Sequence, residues 1–412
     1  MEMIGIVVLV VTGIYFTIKL KFKHFNMIKA IKAMLKSDNN GISSFQSLCI
    51  SLASRIGVGS LSGVVLSIYV GGVGSIFWMW IITLICSSNT MVESMLSIKY
   101  RKRLNNGYYE GGPFYYMSMG LKKYNMAMIY ALIFVVAYIF GFLPIQSNTI
   151  SKIVTEIIPI PSIIVGIVIV ILTGLVIFKG VKEIADVVSK LVPIISVIYI
   201  ITCLIILIKN ISLIDDVILL IIKEAFNKKS FITGLIVGCT KSIFSTEAGL
   251  GTGGVASASS SNSSAEEQGL VQVFGINFDT FIVSTLTSFV VILSPYTTLN
   301  ITNINGIEIT RNAFIYHLGS FGGLILTLSI ILFAFSTIIG GYYYGEIAIK
   351  YITKKENMRV LKVVTMVLLL ISTIISPTII WKMIDKFIVM LGIINTISLI
   401  LLRNDVFKKK LW

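Results

Sequence analysis

Long apolar runs alternate with short polar stretches along the whole chain, and the runs have the length of a bilayer crossing. Eleven of them lie at about 2–19, 44–70, 74–98, 124–150, 161–179, 187–208, 231–262, 268–294, 320–346, 359–380 and 383–402. Each approaches the roughly 20 residues that a helix needs to cross the hydrocarbon core. The pattern predicts an all-α polytopic membrane protein with about eleven transmembrane helices. No polar stretch is long enough to fold a soluble domain. The first run, MIGIVVLVVTGIYFTIKL, lacks a basic leader and a small-residue cleavage site, so it reads as a span rather than a signal peptide.

Two runs break the pattern. The second carries LASRIGVGSLSGVV around Arg55, and the seventh carries GCTKSIFSTEAGLGTGG around Lys241 and Glu247. Glycine weakens a helix by about 1 kcal/mol against alanine, and an intramembrane carboxylate costs about 2.5–3.5 kcal/mol on insertion scales. Backbone freed by such a break is tolerable only where it lines a cavity or binds something. The two segments stand five spans apart, which gives them opposite orientation. Glycine-interrupted spans at matching places in two halves are the mark of an inverted-repeat transporter. The chain therefore divides into 1–43, an extra N-terminal span with a basic linker, and two five-helix repeats at 44–210 and 211–412. Glu247 is expected to tie the broken backbone together or pair a basic group, ahead of binding an ion directly.

Charge orients the bundle. The net charge is +15, with 34 Lys and Arg against 19 Asp and Glu. With the N-terminus outside, about 24 of the basic residues fall on inner loops and flanks and about 8 on outer ones, as the positive-inside rule requires. The charge thus belongs to a lipid bilayer and not to a nucleic-acid partner. The abundance of Ile, Lys and Asn points to an AT-rich bacterial genome, so the spans are expected in a bacterial cytoplasmic membrane, with the N-terminus outside and the C-terminus inside.

Candidate chemistry outside the two breaks is sparse. Cys49, Cys86, Cys203 and Cys239 all lie in apolar runs, where no disulfide is expected, and His24 and His317 stand alone. No Ser/His, Cys/His or metal cluster has catalytic spacing, which argues against an intramembrane enzyme. GLGTGG from Gly249 matches a dinucleotide fingerprint, but no strand precedes it. Gly59 and Gly63 form a small-residue pair that would suit helix packing. Glu93 is expected to pair a local cation near the inner interface. Asp279 and Asp385 are open as partners of Arg55, Lys241 or Lys382. SSSNSSAEEQ reads as a solvated inner loop and GGYYYGE as an interfacial aromatic anchor. Pro144 should kink the fourth span just before Gln146, and Asn148 should face a different side from Gln146.

These stretches resemble the alanine/glycine:cation symporter family, the sodium:alanine symporters. The resemblance rests on SLASRIGVGSLSGV, GGVGSIFWMW, ESMLSIKYR, EGGPFYYM, QSNTI, FSTEAGLGT, EEQGL, FDTFIVSTLT and LFAFSTIIGGYYYGE, with a weaker match at Trp381, Asp385, Met390 and Asn395. It covers nearly the whole chain. It implies a leucine-transporter-like fold with one extra N-terminal helix, and sodium-coupled uptake of a small neutral amino acid by a monomer, with protons as the alternative ion. The sodium it implies would take carbonyls of Ala53 and Ile56 and hydroxyls of Ser336 and Thr337, hard ligands for a hard cation. The amino acid would lie along Gly57, Gly59, Ser60, Gln146, Phe244, Ser245, Thr246 and Gly341. A cation channel or a transport-inactive sensor on the same fold is the alternative function.

The departures from the family are concentrated in that site. Val58, Gly59 and Ser60 stand where it usually has Thr-Gly-Asn, and Thr246 where it usually has Asn. Gly341 stands where a Trp is common, so a roomier pocket is expected, one that Gly341→Trp should narrow toward alanine and glycine. The charge pattern itself yields the first prediction. Single cysteines near Lys355 should resist an impermeant thiol reagent in intact cells, and those near Lys228 should react. Labelling near Lys355 rejects the orientation.

Overall fold

The structure, a computed structural model, describes residues 2–36, 41–295, 306–375 and 378–407, without the side chains of residues 2, 378–383 and 385. The roles weighed for Trp381, Lys382 and Asp385 therefore lie outside the described residues. The chain is an all-helical, multi-span membrane protein. Helix α1 (Glu2–Lys19) leads through a short turn to the amphipathic α2 (Met27–Met34). The first broken span is α3 (Ser44–Arg55) and α4 (Val64–Gly71), joined through a π-helical turn at Gly59–Gly63. The long α5 (Ser75–Lys99) follows, then a two-stranded hairpin, β1 (Lys102–Arg103) and β2 (Tyr109–Glu110), and the short α6 (Pro113–Tyr115). Helices α7 (Tyr124–Ala137) and α8 (Leu143–Ile157) are one span with a π-helical turn at Tyr138–Phe142. Next come α9 (Ser162–Ile177), α10 (Val181–Lys209) and α11 (Ile214–Ala225).

The second broken span is α12 (Phe231–Thr246) and α13 (Thr252–Ser259). Helices α14 (Ala265–Asn277) and α15 (Thr285–Ile292) again share a π-helical turn, Phe278–Ser284. The chain ends in α16 (Gly306–Thr353), α17 (Arg359–Ser372), α18 (Thr378–Leu401) and α19 (Arg403–Phe407), with α16 kinked at Gly319. Each predicted span has its greater part on a described helix. Among the described residues, five continuous helices are long and apolar enough to cross a bilayer, and the α3–α4 pair, bent by 51°, makes a sixth. Helix α17 stops at Ser372, short of the predicted boundary.

Packing sets the two breaks side by side. Helix α3 lies against α13 and α4 against α12, so the broken spans pass each other in opposite directions. Helix α5 backs both through contacts with α12, α13 and α14, and α16 backs α3 while touching α7, α8 and α10. Outward faces are apolar: Val7, Val11, Ile167, Ile171, Leu175, Ile194 and Ile201 are exposed, a surface suited to lipid rather than water.

Local rules explain the interruptions. Pro144 lacks the N–H that would reach the Phe140 carbonyl, and the preceding turn relaxes to π-helix over Tyr138–Phe142. At the second break Glu247 ends α12 in the left-handed region, φ 53°. Gly251 has φ 86°, and a Cβ there would sit 2.1 Å from Pro113 Cγ. Gly59 lies against the Phe244 ring while Gly63 has open space around it, so the pair does not act as a helix-packing motif.

Two expectations need correction. Tyr342, Tyr343 and Tyr344 are fully buried, and the Tyr344 ring meets Tyr138 edge-on at 5.4 Å. They are core residues because α16 is covered on several sides, and they do not form an interfacial belt. Within SSSNSSAEEQ, Ser259 and Ser260 are buried, the Ser261 N–H donates to Ile42 O at 2.8 Å, and Glu266 pairs Lys29 of α2. That segment is fastened, not simply solvated. Cys49, Cys86, Cys203 and Cys239 are buried free thiols.

The break geometry predicts a contrast. Gly251→Ala should lower the melting temperature of the purified protein or abolish folding, a cost above about 1 kcal/mol. Gly63→Ala should leave the melting temperature unchanged or slightly raised. Equal behaviour of the two variants would contradict the structure.

Candidate functional site

Three carboxylates close the breaks. Ser60 on the first broken span donates to Asp279 Oδ1 at 2.6 Å, and Ser245 on the second donates to Asp279 Oδ2 at 2.7 Å. Asp279, in the π-helical turn between α14 and α15, therefore bridges both. Glu247 Oε1 accepts from Ser54 Oγ at 2.9 Å and Tyr138 OH at 3.0 Å, which ties the end of α12 to α3 and to the fourth span. Glu93 Oε2 accepts the Gly251 N–H at 2.9 Å and Asn395 Nδ2 at 3.0 Å. Asn395 also donates to Gly249 O at 2.9 Å and takes a hydrogen bond from Tyr116.

Arg55 is buried among these acids, with Nη1 donating to Ser51 Oγ at 3.3 Å. A Cβ at Gly253 would stand 2.8 Å from Glu93 Oε1 and 3.0 Å from Arg55 Nη2, so a glycine is what lets the two approach. Glu93 thus grips the second break from mid-helix, in place of the interfacial pairing expected of it. Lys241 takes neither Asp279 nor a broken backbone as its contact; its Nζ lies 5.9 Å from the centre of the Phe244 ring.

The expected sodium and substrate residues divide into two sets. Thr337 Oγ1 donates to Ala53 O at 2.8 Å and lies 3.0 Å from Phe333 O on its own helix. A Cβ on Gly57 would stand 2.6 Å from Thr337 Oγ1 and 3.5 Å from Gln146 Oε1. Ile56 leaves the helical region, with ψ 85°, which takes its carbonyl off the α3 ladder. Gly57, Gly59, Gln146 and Phe244 line one small cavity with Phe142 and Ile145. Gln146 Oε1 is buried there and has no hydrogen-bond partner among the described residues. Asn148 faces away, its amide donating to Ser372 O at 2.8 Å. The cavity measures about 10 Å³, room for roughly one water molecule.

The other set is drawn elsewhere. Ser336 Oγ bonds Phe333 O on its own helix at 2.8 Å. Ser60 and Ser245 spend their hydroxyl protons on Asp279. Thr246 Oγ1 donates back to Ser242 O at 2.7 Å. Gly341 does not open the pocket: a Cβ there would be 2.7 Å from Leu143 Cδ1 and 3.7 Å from the Tyr138 ring. Leu143 and Tyr138 fill the space that a larger residue at 341 would need.

Sequence reasoning missed Ser54, Tyr138 and Leu143. No local spacing could have found them, because each reaches its partner across helices far apart in sequence. Asn395 carried a weak signal, as a polar residue in an apolar run.

A spanning bundle with two broken helices around a small buried polar cavity is the construction of a membrane transport protein. The chain belongs to the sodium:alanine symporter family, which matches residues 1–410. It is 34% identical to the probable sodium/glutamine symporter GlnT of Bacillus subtilis, over 98% of this chain and 86% of the relative. It is 33% identical to the amino-acid carrier protein AlsT of the same organism, over 97% and 87%. The sodium/alanine symporter AgcS of Methanococcus maripaludis is 31% identical, over 97% and 92%. The family is one of symporters rather than enzymes.

The contact at Gly341 replaces the narrowing expectation with a folding one. Gly341→Trp should lose monodisperse protein on size exclusion, an overpacking cost of about 1–3 kcal/mol or more. Adding Leu143→Ala should restore it. A well-folded single variant would show that Leu143 yields freely.

Proposed function

We propose that the chain is a secondary active transporter that carries a small neutral amino acid into the cell with sodium, by alternating access. Its relatives' names, sodium/glutamine symporter and sodium/alanine symporter, support the coupling ion and the substrate class. The observation that carries the reading is the meeting of Thr337, Ala53, Gly57 and Gln146 at the first break. Thr337 has one hydroxyl hydrogen and two carbonyl acceptors in reach. When that hydrogen turns to Phe333 O, Thr337 Oγ1 and Ala53 O both offer lone pairs to a hard cation. Ile56 O is the third ligand of this proposed site, and Ser336 joins it by a rotamer change. The amino acid then lies between Gly57, Gly59 and Phe244, with its polar end on Gln146. Ser60, Ser245 and Thr246 support it through the backbone they hold.

The fold assigned to this function is a leucine-transporter-like pair of inverted repeats, 44–210 and 211–412, behind the extra helix at 1–43. Reciprocal packing supports it: α10 lies on α16 as α18 lies on α7, and α5 on α12 as α14 on α3. The N-terminus is outside and the C-terminus inside a bacterial cytoplasmic membrane.

Proteoliposomes with and without a sodium gradient, offered labelled alanine, glycine and glutamine, test the reading. Gradient-driven accumulation of one or more is expected, and a proton gradient alone should not substitute. Ion flux without amino-acid accumulation would favour a channel, and no flux at all a sensor. Thr337→Ala should raise the sodium concentration for half-maximal uptake about tenfold, the loss of roughly 1.4 kcal/mol, and Ser336→Ala less. An unchanged sodium titration in Thr337→Ala removes the proposed cation site.

A further inference from the structure

A second cavity of about 240 Å³ lies beside the central one, between α4, α8 and both arms of α16. Its walls carry the charged side chains of Lys152, Glu156, Glu308 and Arg311, together with Val58 and Thr327. Thr327 is 3% exposed, and its hydroxyl has no hydrogen-bond partner among the described residues. Arg311 Nε is likewise buried and unpartnered among them. Desolvated donors of this kind are costly unless something occupies them. Lys152, Glu156 and Glu308 are exposed at the mouth of the cavity and Arg311 is half-buried, and two cations with two anions around one opening complement a zwitterion rather than a simple cation or anion.

This cavity is mechanically joined to the central one. Val58 lines the outer cavity, while its neighbours Gly57 and Gly59 line the central one. The first arm of α16, which carries Glu308 and Arg311, packs on the same π-helical turn: Thr310 Oγ1 lies 3.0 Å from Leu61 O, with Gly306 O on its own helix as the nearer acceptor at 2.6 Å. A Cβ on Gly306 would lie 2.5 Å from Ser62 O. An occupant of the outer cavity therefore bears on the segment that shapes the inner one.

We propose that the outer cavity is a second binding site for a free α-amino acid, its carboxylate on Arg311 and Thr327 and its ammonium on Glu308 or Glu156, separated from the central site by Val58. The proposal rests on the transport reading above. The bidentate geometry of arginine suits a carboxylate, and the cavity is large enough for the small amino acids in question.

Equilibrium dialysis of the purified full chain with labelled L-alanine and L-glutamine, in saturating sodium, tests it beside proteoliposome uptake. Two molecules bound per chain are expected for whichever amino acid is taken up. Arg311→Gln and, separately, Thr327→Val should bind one, with apparent KM for uptake raised about tenfold in Arg311→Gln. Gln146→Leu should also bind one, at the outer site. A wild-type stoichiometry of one with uptake intact overturns the second site and leaves the transport reading standing. Two molecules retained in a monodisperse Arg311→Gln and in Thr327→Val also overturn it. Neither uptake nor binding of either amino acid overturns the transport reading and this site with it.

Discussion

Everything else in the molecule depends on a buried carboxylate accepting hydrogen bonds where a helix has been broken. A break at mid-membrane leaves N–H and C=O groups with no water to satisfy them, each costing several kcal/mol. An acid placed nearby adds about 2.5–3.5 kcal/mol of its own. Hydrogen bonds to a charged group each return about 1.5–3 kcal/mol. Asp279, Glu247 and Glu93 each accept two hydrogen bonds from groups on other elements, which offsets part of that cost. Arg55 is buried beside them, its Nη2 and Glu93 Oε1 both facing Gly253. Removing one acid would leave donors orphaned on two helices at once, because each acid spans more than one element.

That arrangement decides where recognition can occur. The hydroxyl hydrogens of Ser60 and Ser245 go to Asp279, which leaves their oxygens as acceptors only. The donors and acceptors left at the first break are backbone, the Thr337 hydroxyl, the Gln146 amide and the Arg55 guanidinium, whose Nε and Nη2 have no hydrogen-bond partner among the described residues. A stack of rings lies next to these groups: Tyr138 on Phe142 at 5.0 Å, and Phe142 on Phe244 at 5.6 Å. The first ring holds Glu247 and the last touches Gly59, so the aromatic column links the second break to the first. A ligand pressing on Phe244 would be felt at the acid that holds α12 in place.

The spans were legible because hydropathy and length speak directly to a bilayer. The breaks were legible because glycine and charge in an apolar run demand an explanation. Pro144 announced an irregular turn by chemistry that acts within one turn, and the irregularity is π-helical winding at Tyr138–Phe142. Gln146 was separable from Asn148 by helical period alone, and the two do face different neighbours. What the sequence hid is long-range. Glu93 sits eleven residues past Ile82 in an unbroken helix, and nothing local reveals that it meets Gly251. The three tyrosines of GGYYYGE look like an interfacial belt until α7 is laid beside them. Gly341 suggested a gap because side-chain volume was counted at one position only; Leu143, on another helix, takes it up.

The Gly341–Leu143 exchange also bears on how the proposed pocket chooses its substrate. A protein interior is packed to crystal density, so volume lost at one position is recovered by a neighbour rather than left empty. Size selectivity then belongs to the set of side chains around the cavity, not to one residue. Here that set is Phe142, Ile145 and Phe244, with Leu143 behind them. In the closed arrangement these side chains leave about 10 Å³, so any amino acid must move at least one of them to bind. Phe244 is the side chain with somewhere to go: a further cavity of about 70 Å³, distinct from the outer one and lined by α1, α12 and α18, lies on its other side. The extra N-terminal helix forms one wall of that space through Gly5, Ile6 and Leu9. In the proposed pocket, accommodation of a substrate would therefore be coupled to α1, the helix outside the two proposed repeats.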